Sequence, residues 1–228
     1  ITMDSGTYDR RVERDNKVWQ LVDGQGVLTS SKNDYLDLVI VKEAPSISRY
    51  YYKGNFEGGA SAVPTCWTSD AGRGPDISAK DKQHSNCALC KQNIRGSGNN
   101  NSKACRLFTR VAVGFICDKE EAQGIFQLQL PSTSLFGAAP DKKGNPNRLP
   151  YIAYKKHLSL NGYSPEKMIT RIAQDESVPY KKLLFEAVGF IPENFTQLVE
   201  DLTDSVDAEA AVKTDFTAVE DDNPFKPL

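Results

Sequence analysis

The chain has 228 residues, of which 39% are hydrophobic and 25% charged. That is enough apolar material for a core, and it excludes wholesale disorder. No run approaches the roughly 18 apolar residues of a membrane span, and residues 1–11 lack the hydrophobic stretch of a secretory signal. A cytoplasmic protein is therefore expected, without membrane partners and without a framework of disulfides among its five Cys. The net charge of −2 hides a split: residues 191–228 hold ten acidic and two basic side chains, leaving 26 basic against 20 acidic in 1–190. A basic body with an acidic tail suits a protein whose body meets a polyanion.

The first half reads as strands. Residues 17–22 alternate, Asp23-Gly24-Gln25-Gly26 supplies a turn, and Tyr35–Val41 is a β-branched run suited to a central strand. A further strand begins at Ser48. Periodicity then disappears into a stretch rich in Gly, Asn, Ser, Pro and Lys, too long for a structureless loop unless something staples it. Strand character resumes over 106–116 and 125–130. Helical spacing follows over 149–160, with Ile152, Tyr154 and Leu158 as the expected buried face. Two more strands (167–173 and 182–190) and a short helix (195–202) precede an acidic segment of low hydrophobicity. Six or seven strands with one inter-strand helix predict a mainly β protein, best matched by an OB-like barrel. The expected organisation is a domain over 1–204, carrying an insertion at 55–105, and a disordered acidic tail over 205–228.

Cys66, Cys87, Cys90 and Cys105 lie in or at the edge of the irregular segment. Cys87-Ala88-Leu89-Cys90 has the Cys-x-x-Cys spacing that points two thiolates at one metal from a tight turn. Four thiolates satisfy a closed tetrahedral Zn2+ site. A structural zinc would stabilise a segment that cannot bury a core, with binding free energies on the order of 10–16 kcal/mol. His84 in place of one Cys, and a redox pair, are the alternatives; the pair lacks the strand-then-helix setting of such motifs. Cys117, at the end of an apolar strand, is expected in the core or at an edge.

Cations and aromatic rings crowd the same region. Arg49, Tyr50, Tyr52, Lys53, Trp67, Arg73, Lys91, Arg95, Lys103, Arg106, Phe108 and Arg110 are the candidate nucleic-acid contacts, with Tyr51 assigned to the core. Single-stranded binding asks for this combination, phosphates tracked by Lys and Arg and bases stacked on aromatic faces. A basic recognition helix for duplex DNA is not found. In the tail, Asp221 and Asp222 precede Pro224 and Phe225, an arrangement able to dock in a basic, apolar-floored pocket on a partner.

Asp221-Asp222-Asn223-Pro224-Phe225 resembles the acidic, Pro-Phe-ending tails of bacterial single-stranded DNA-binding proteins. In those tails the Phe is terminal, whereas Lys226-Pro227-Leu228 follow it here. The segment from Pro64-Thr65-Cys66-Trp67 through the Cys87–Cys90 knuckle to Ala104-Cys105-Arg106 is similar to the cysteine-rich part of phage-encoded, zinc-bearing proteins of this class, over roughly residues 48–190. The resemblance implies a non-enzymatic protein that coats and protects single-stranded DNA in phage replication or recombination. It would recruit replication, recombination or transcription proteins through its tail. A transcription or recombination accessory factor acting with a polymerase is the alternative. A nuclease is disfavoured, since His84 and His157 are the only histidines and no acidic cluster has metal-like spacing.

Overall fold

A computed structural model describes residues 8–54, 63–117, 119–137 and 145–216. The strands are β1 (Arg11–Asp15), β2 (Val18–Asp23), β3 (Gly26–Ser31), β4 (Tyr35–Glu43), β5 (Ser48–Tyr51), β6 (Cys66–Thr68), β7 (Arg106–Gly114), β8 (Phe126–Pro131), β9 (Met168–Gln174) and β10 (Leu183–Phe190). The helices are α1 (Ser132–Leu135), α2 (Tyr151–Leu160), α3 (Thr196–Thr203) and α4 (Val206–Val212). The chain divides into two compact units, one of Tyr8–Ile47 with Leu107–Lys213, the other of Ser48–Arg106 with the described residues from Thr214 onward.

The first unit is mainly β. Its sheet runs β10-β9-β4-β7-β8-β1-β2-β3 and curls into a half-barrel. All neighbours are antiparallel except β1 and β8, which meet in parallel at Arg11 and Gln127. β1 and β2 form a hairpin whose two linking residues, Asn16 and Lys17, both have positive φ (45° and 66°). That is the backbone twist a two-residue turn needs to match the strands. Asp23 fixes the next turn, its Oδ1 accepting the N–H groups of Gln25 (2.8 Å) and Gly26 (3.1 Å).

β4 and β7 are buried on both faces, which accounts for their unbroken apolar runs. Leu38 and Ile40 of β4 and Val111 and Val113 of β7 enter one core with Trp19, Phe126, Leu128, Leu130, Tyr154 and Phe185. The alternate residues Val39, Val41 and Ala112 face a second core closed by Val199 of α3 and Ala208, Ala211 and Val212 of α4. On α2 the buried face is Tyr151, Tyr154 and Leu158. Ile152, expected inside, is 39% exposed, and Tyr151 takes its place because its hydroxyl reaches Glu43 (2.8 Å) from within the apolar face.

Three expectations are corrected here. β1 and β6 went unpredicted, one being polar in four of its five residues and the other only three residues long. The acidic segment from 205 is not tail throughout, since Val206–Val212 is a helix with three buried residues. Cys117, expected in the core or at an edge, is exposed and so not in the core. No helix among the described residues is long and apolar enough to cross a membrane.

The second unit, the expected insertion, has little regular structure. β5 and β6 pair antiparallel, Tyr50 opposite Trp67 and Tyr51 opposite Cys66. The rest is turns and short 3-10 segments tied by local hydrogen bonds. Asp76 N–H donates to Trp67 O (2.8 Å), Asp81 N–H to Thr65 O (2.9 Å) and Cys105 N–H to Gln92 O (2.8 Å). At Gly74 a Cβ would lie 2.3 Å from the Ser85 carbonyl oxygen, so only glycine lets these two loops touch.

Candidate metal and nucleic-acid site

Cys66, Cys87, Cys90 and Cys105, 39 residues apart from first to last in sequence, line one small cavity together with Tyr51, Pro75, Gln83, His84 and Gln92. The cavity measures about 20 Å3, room for one water-sized body or ion. Cys66, Cys87 and Cys90 are buried and Cys105 is half-buried, and none is in a disulfide. Each is placed by a different local device. Cys66 opens β6 beside Thr65, whose carbonyl accepts the Asp81 N–H (2.9 Å). The knuckle is shaped by Asn86, whose Oδ1 accepts the Ala88 N–H (2.9 Å) and whose carbonyl accepts that of Leu89 (3.2 Å). After Cys90, a 3-10 turn over Lys91–Asn93 returns the Asn93 N–H to the Cys90 carbonyl (2.9 Å).

Burial pushes the Cys66 and Cys87 thiols up, and it pushes Cys105 up to about 11 against the opposing pull of Arg49. The thiols also raise one another, Cys66 through Cys90 and Cys105 through Cys87 and Cys90. A cluster of this kind becomes anionic at neutral pH only when a cation compensates it. Among the described residues, no three His, Cys, Asp or Glu side chains are drawn in to the spacing that holds a metal ion. The four sulfurs wall the cavity instead of closing on a common point. In donor chemistry they suit a soft or borderline ion, Zn2+ above all. His84 lines the same cavity but is exposed, and its Nδ1 accepts the Asn86 N–H (3.0 Å), leaving Nε2 as its only free donor atom toward a metal.

The candidate nucleic-acid contacts separate into two groups. Lys53, Arg73, Lys91, Arg95, Lys103 and Arg106 are exposed. Of these, Lys53 pairs with Asp81 (3.7 Å) and Arg73, 83% exposed, with Asp70 (3.3 Å). Tyr52 is half-buried against Tyr50, their rings edge to face at 5.5 Å. The others point inward. Tyr50 is 8% exposed, and it, not Tyr51, is the buried member of the Tyr50–Tyr52 run; Tyr51 lines the cysteine cavity. Trp67 is 4% exposed because Phe216 packs edge-on against it at 5.2 Å. Phe108 and Arg110 are each 1% exposed, with the Arg110 guanidinium 5.6 Å from the Phe108 ring and its Nη1 donating to the Lys213 carbonyl (2.6 Å). Alternation correctly placed Phe108 and Arg110 near one another, but β7 is buried on both faces. Arg49, too, turns inward, its Nη1 donating to Asn93 Oδ1 (2.8 Å).

Sequence reasoning missed Asn93, Gln83 and Phe216. Asn93, three residues after Cys90, had a readable signal as a side chain able to cap the knuckle. Phe216 had none, since it lies in an acidic stretch far from Trp67 in sequence. Asp221, Asp222, Pro224 and Phe225 lie outside the described residues. No family model, curated protein or solved structure matches the chain.

Proposed function

We propose that this is a non-catalytic single-stranded DNA-binding protein on an OB-like barrel, with a structural zinc held by Cys66, Cys87, Cys90 and Cys105. The observation that carries the reading is the coincidence of one cysteine-lined cavity with exposed Lys91, Arg95, Lys103 and Arg106 in a single compact unit. A metal-stapled loop bearing cations is a rigid backbone-tracking element. When bound, zinc supplies structure there and no chemistry on a substrate. Because Tyr50, Trp67 and Phe108 are buried, base stacking falls to Tyr52 and phosphate contact takes the larger share. The eight-strand half-barrel sheet supports the barrel assignment.

In this reading the protein coats transient single strands during replication or recombination, as in a phage, and residues 217–228 recruit partner proteins through Asp221, Asp222, Pro224 and Phe225. The decisive experiment is titration of single-stranded and duplex oligonucleotides at several salt concentrations. With about four phosphates neutralised, the log–log salt slope on single strands is expected near roughly −3. Arg106→Glu weakens all sequences alike. Equal affinity for duplex, or a flat salt response, rejects the reading. Removing 217–228 is expected to strengthen binding at low salt, because an acidic tether competes with DNA for the same cations.

A further inference from the structure

Arg49 is the charged side chain most deeply engaged with the cysteine cluster. It sits on β5, one residue before Tyr50, and its guanidinium acts in two directions. Nη1 donates to Asn93 Oδ1 at 2.8 Å, and the positive charge of the guanidinium bears on Cys105, drawing its thiol down against burial. Asn93 passes the contact on, its Nδ2 donating to the Cys87 carbonyl at 3.1 Å. Its Oδ1 also accepts from Lys103 Nζ at 3.1 Å. One arginine thus reaches the knuckle through a single amide while its charge acts on the last cysteine of the set.

The charge balance makes this contact purposeful. Among the described residues no carboxylate pairs with Arg49, and its Nε is buried without a hydrogen-bond partner. A partly buried guanidinium with no anion is costly. Four thiolates around Zn2+ carry a formal charge of roughly −2, which is the anion this cation lacks. Arginine suits the place better than lysine because its rigid, planar fork fixes the direction of the bond to Asn93.

We propose that Arg49 is the outer positioning residue of the four-cysteine centre, bracing the Cys87 knuckle through Asn93 and offsetting the charge of the thiolates. The proposal rests on the zinc reading above, and it removes Arg49 from the set of phosphate contacts. Outer partners of metal ligands are worth about 10–100-fold in metal affinity.

The test measures zinc affinity of the full chain by competition with a chelator, and the visible spectrum of the Co2+-substituted protein. Arg49→Ala is expected to bind zinc 10–100-fold more weakly while its Co2+ form keeps the sulfur-to-metal charge-transfer band of a four-thiolate site. Arg49→Lys keeps the cation but loses the fork, and falls between Arg49→Ala and wild type. Asn93→Ala weakens zinc as well, and the double variant loses less than the two single losses combined, since both act through one chain of contacts. Zinc affinity in Arg49→Ala within threefold of wild type overturns the proposal. So does a loss of single-stranded DNA affinity at unchanged zinc affinity, which returns Arg49 to the phosphate contacts. Loss of the band in both Arg49 variants makes the residue a support of the fold alone and also overturns it. A wild-type chain that takes up neither Zn2+ nor Co2+ rejects the metal reading itself, a result separate from all of these.

Discussion

The two units of this chain are held together by different physics. In the β unit, two apolar clusters line the faces of β4 and β7 and draw on Trp19, Phe126, Leu128, Tyr154 and Phe185 on one side and Val199, Ala208 and Val212 on the other. Neither cluster takes a described residue from Ser48–Arg106. Among the described residues of that segment the buried apolar side chains are Tyr50, Pro64, Trp67, Ala79 and three cysteines, while Ile77, Leu89 and Ile94 are exposed. Ordering the roughly fifty described residues of this segment costs on the order of 1–2 kcal/mol each in backbone entropy alone, and so few buried groups do not offset it. The cysteine unit needs a source of stability that the β unit does not, and the proposed zinc is of the right size.

The contrast is broken most forcefully at the metal. Cys90→Ser, or removal of zinc by a chelator, is expected to eliminate binding worth on the order of 10 kcal/mol and expose 63–105 to protease. The β unit should remain folded, with its thermal transition little changed. Elemental analysis should find one zinc per chain in the wild type. Protein purified with zinc present throughout that contains none, or a Cys90→Ser variant as protease-resistant as wild type, excludes the metal as the staple.

Arg110 tests the other side of the contrast. Because it is buried on β7 and bonded to the Lys213 carbonyl, Arg110→Ala should destabilise the β unit by about 2–3 kcal/mol, through a lost charged hydrogen bond and lost packing of the side-chain stem. DNA affinity of the folded fraction should be unchanged. Arg106→Glu should do the reverse, leaving stability alone and weakening DNA binding. A drop in DNA affinity for folded Arg110→Ala would show that the side chain reaches the nucleic acid after all.

These residues also show where the sequence was legible. Alternation located β2, unbroken apolar and β-branched runs located β4 and β7, and helical spacing located α2, because each pattern records which faces are buried; β5, β8, β9, β10 and α3 were legible as strands and a helix as well. Cysteine spacing located the cavity. What failed was the assignment of inside and outside. Period two sets Phe108 and Arg110 on one face of β7 but does not say whether that face meets solvent or the core, and it is buried. Trp67 was read as a platform, since nothing local reveals that Phe216 covers it. The cation pattern was visible, but sequence cannot tell an arginine that meets phosphate from one whose charge acts on a thiol.

A smaller effect is expected at Asp175, which closes the β9–β10 hairpin. Its carboxylate pairs with Lys182 Nζ (2.7 Å) and accepts from the N–H (3.1 Å) and hydroxyl of Ser177. Burial alone would raise its pKa, but the bonds from Lys182 and Ser177 outweigh burial and the net shift is downward from 3.8. A carboxyl that titrates lower when folded contributes stability that is fully present above pH 3.8 and is lost as the pH falls through the folded value. Asp175→Asn should therefore cost about 1–2 kcal/mol at pH 7, a difference that shrinks below pH 4. Denaturant melts at both pH values check the sign. A cost that stays constant to pH 2 means the ion pair is not its source.

The smallest effect concerns α4, the helix hidden in the acidic segment. Ser205 caps it, Oγ accepting the Ala208 N–H at 3.1 Å while donating to the Leu202 carbonyl at 2.7 Å, so one hydroxyl ends α3 and starts α4. Asp207 and Glu209 in the first turn favour its positive end. Seven residues cannot hold a helix by themselves; α4 persists because Ala208, Ala211 and Val212 pack into the second core. The signals were present in sequence as a capping serine and small residues at i, i+3 and i+4, but the surrounding acids outweighed them. Ser205→Ala should cost about 1 kcal/mol, read as a lower urea midpoint at unchanged slope. Ser205→Asp, which keeps the acceptor and loses the donated bond, should cost less. Zinc content should be the same in both, because α4 belongs to the β unit. If Ser205→Ala leaves the midpoint in place, the cap is idle and packing alone holds α4. If it lowers zinc affinity, the stabilities of the two units are not independent.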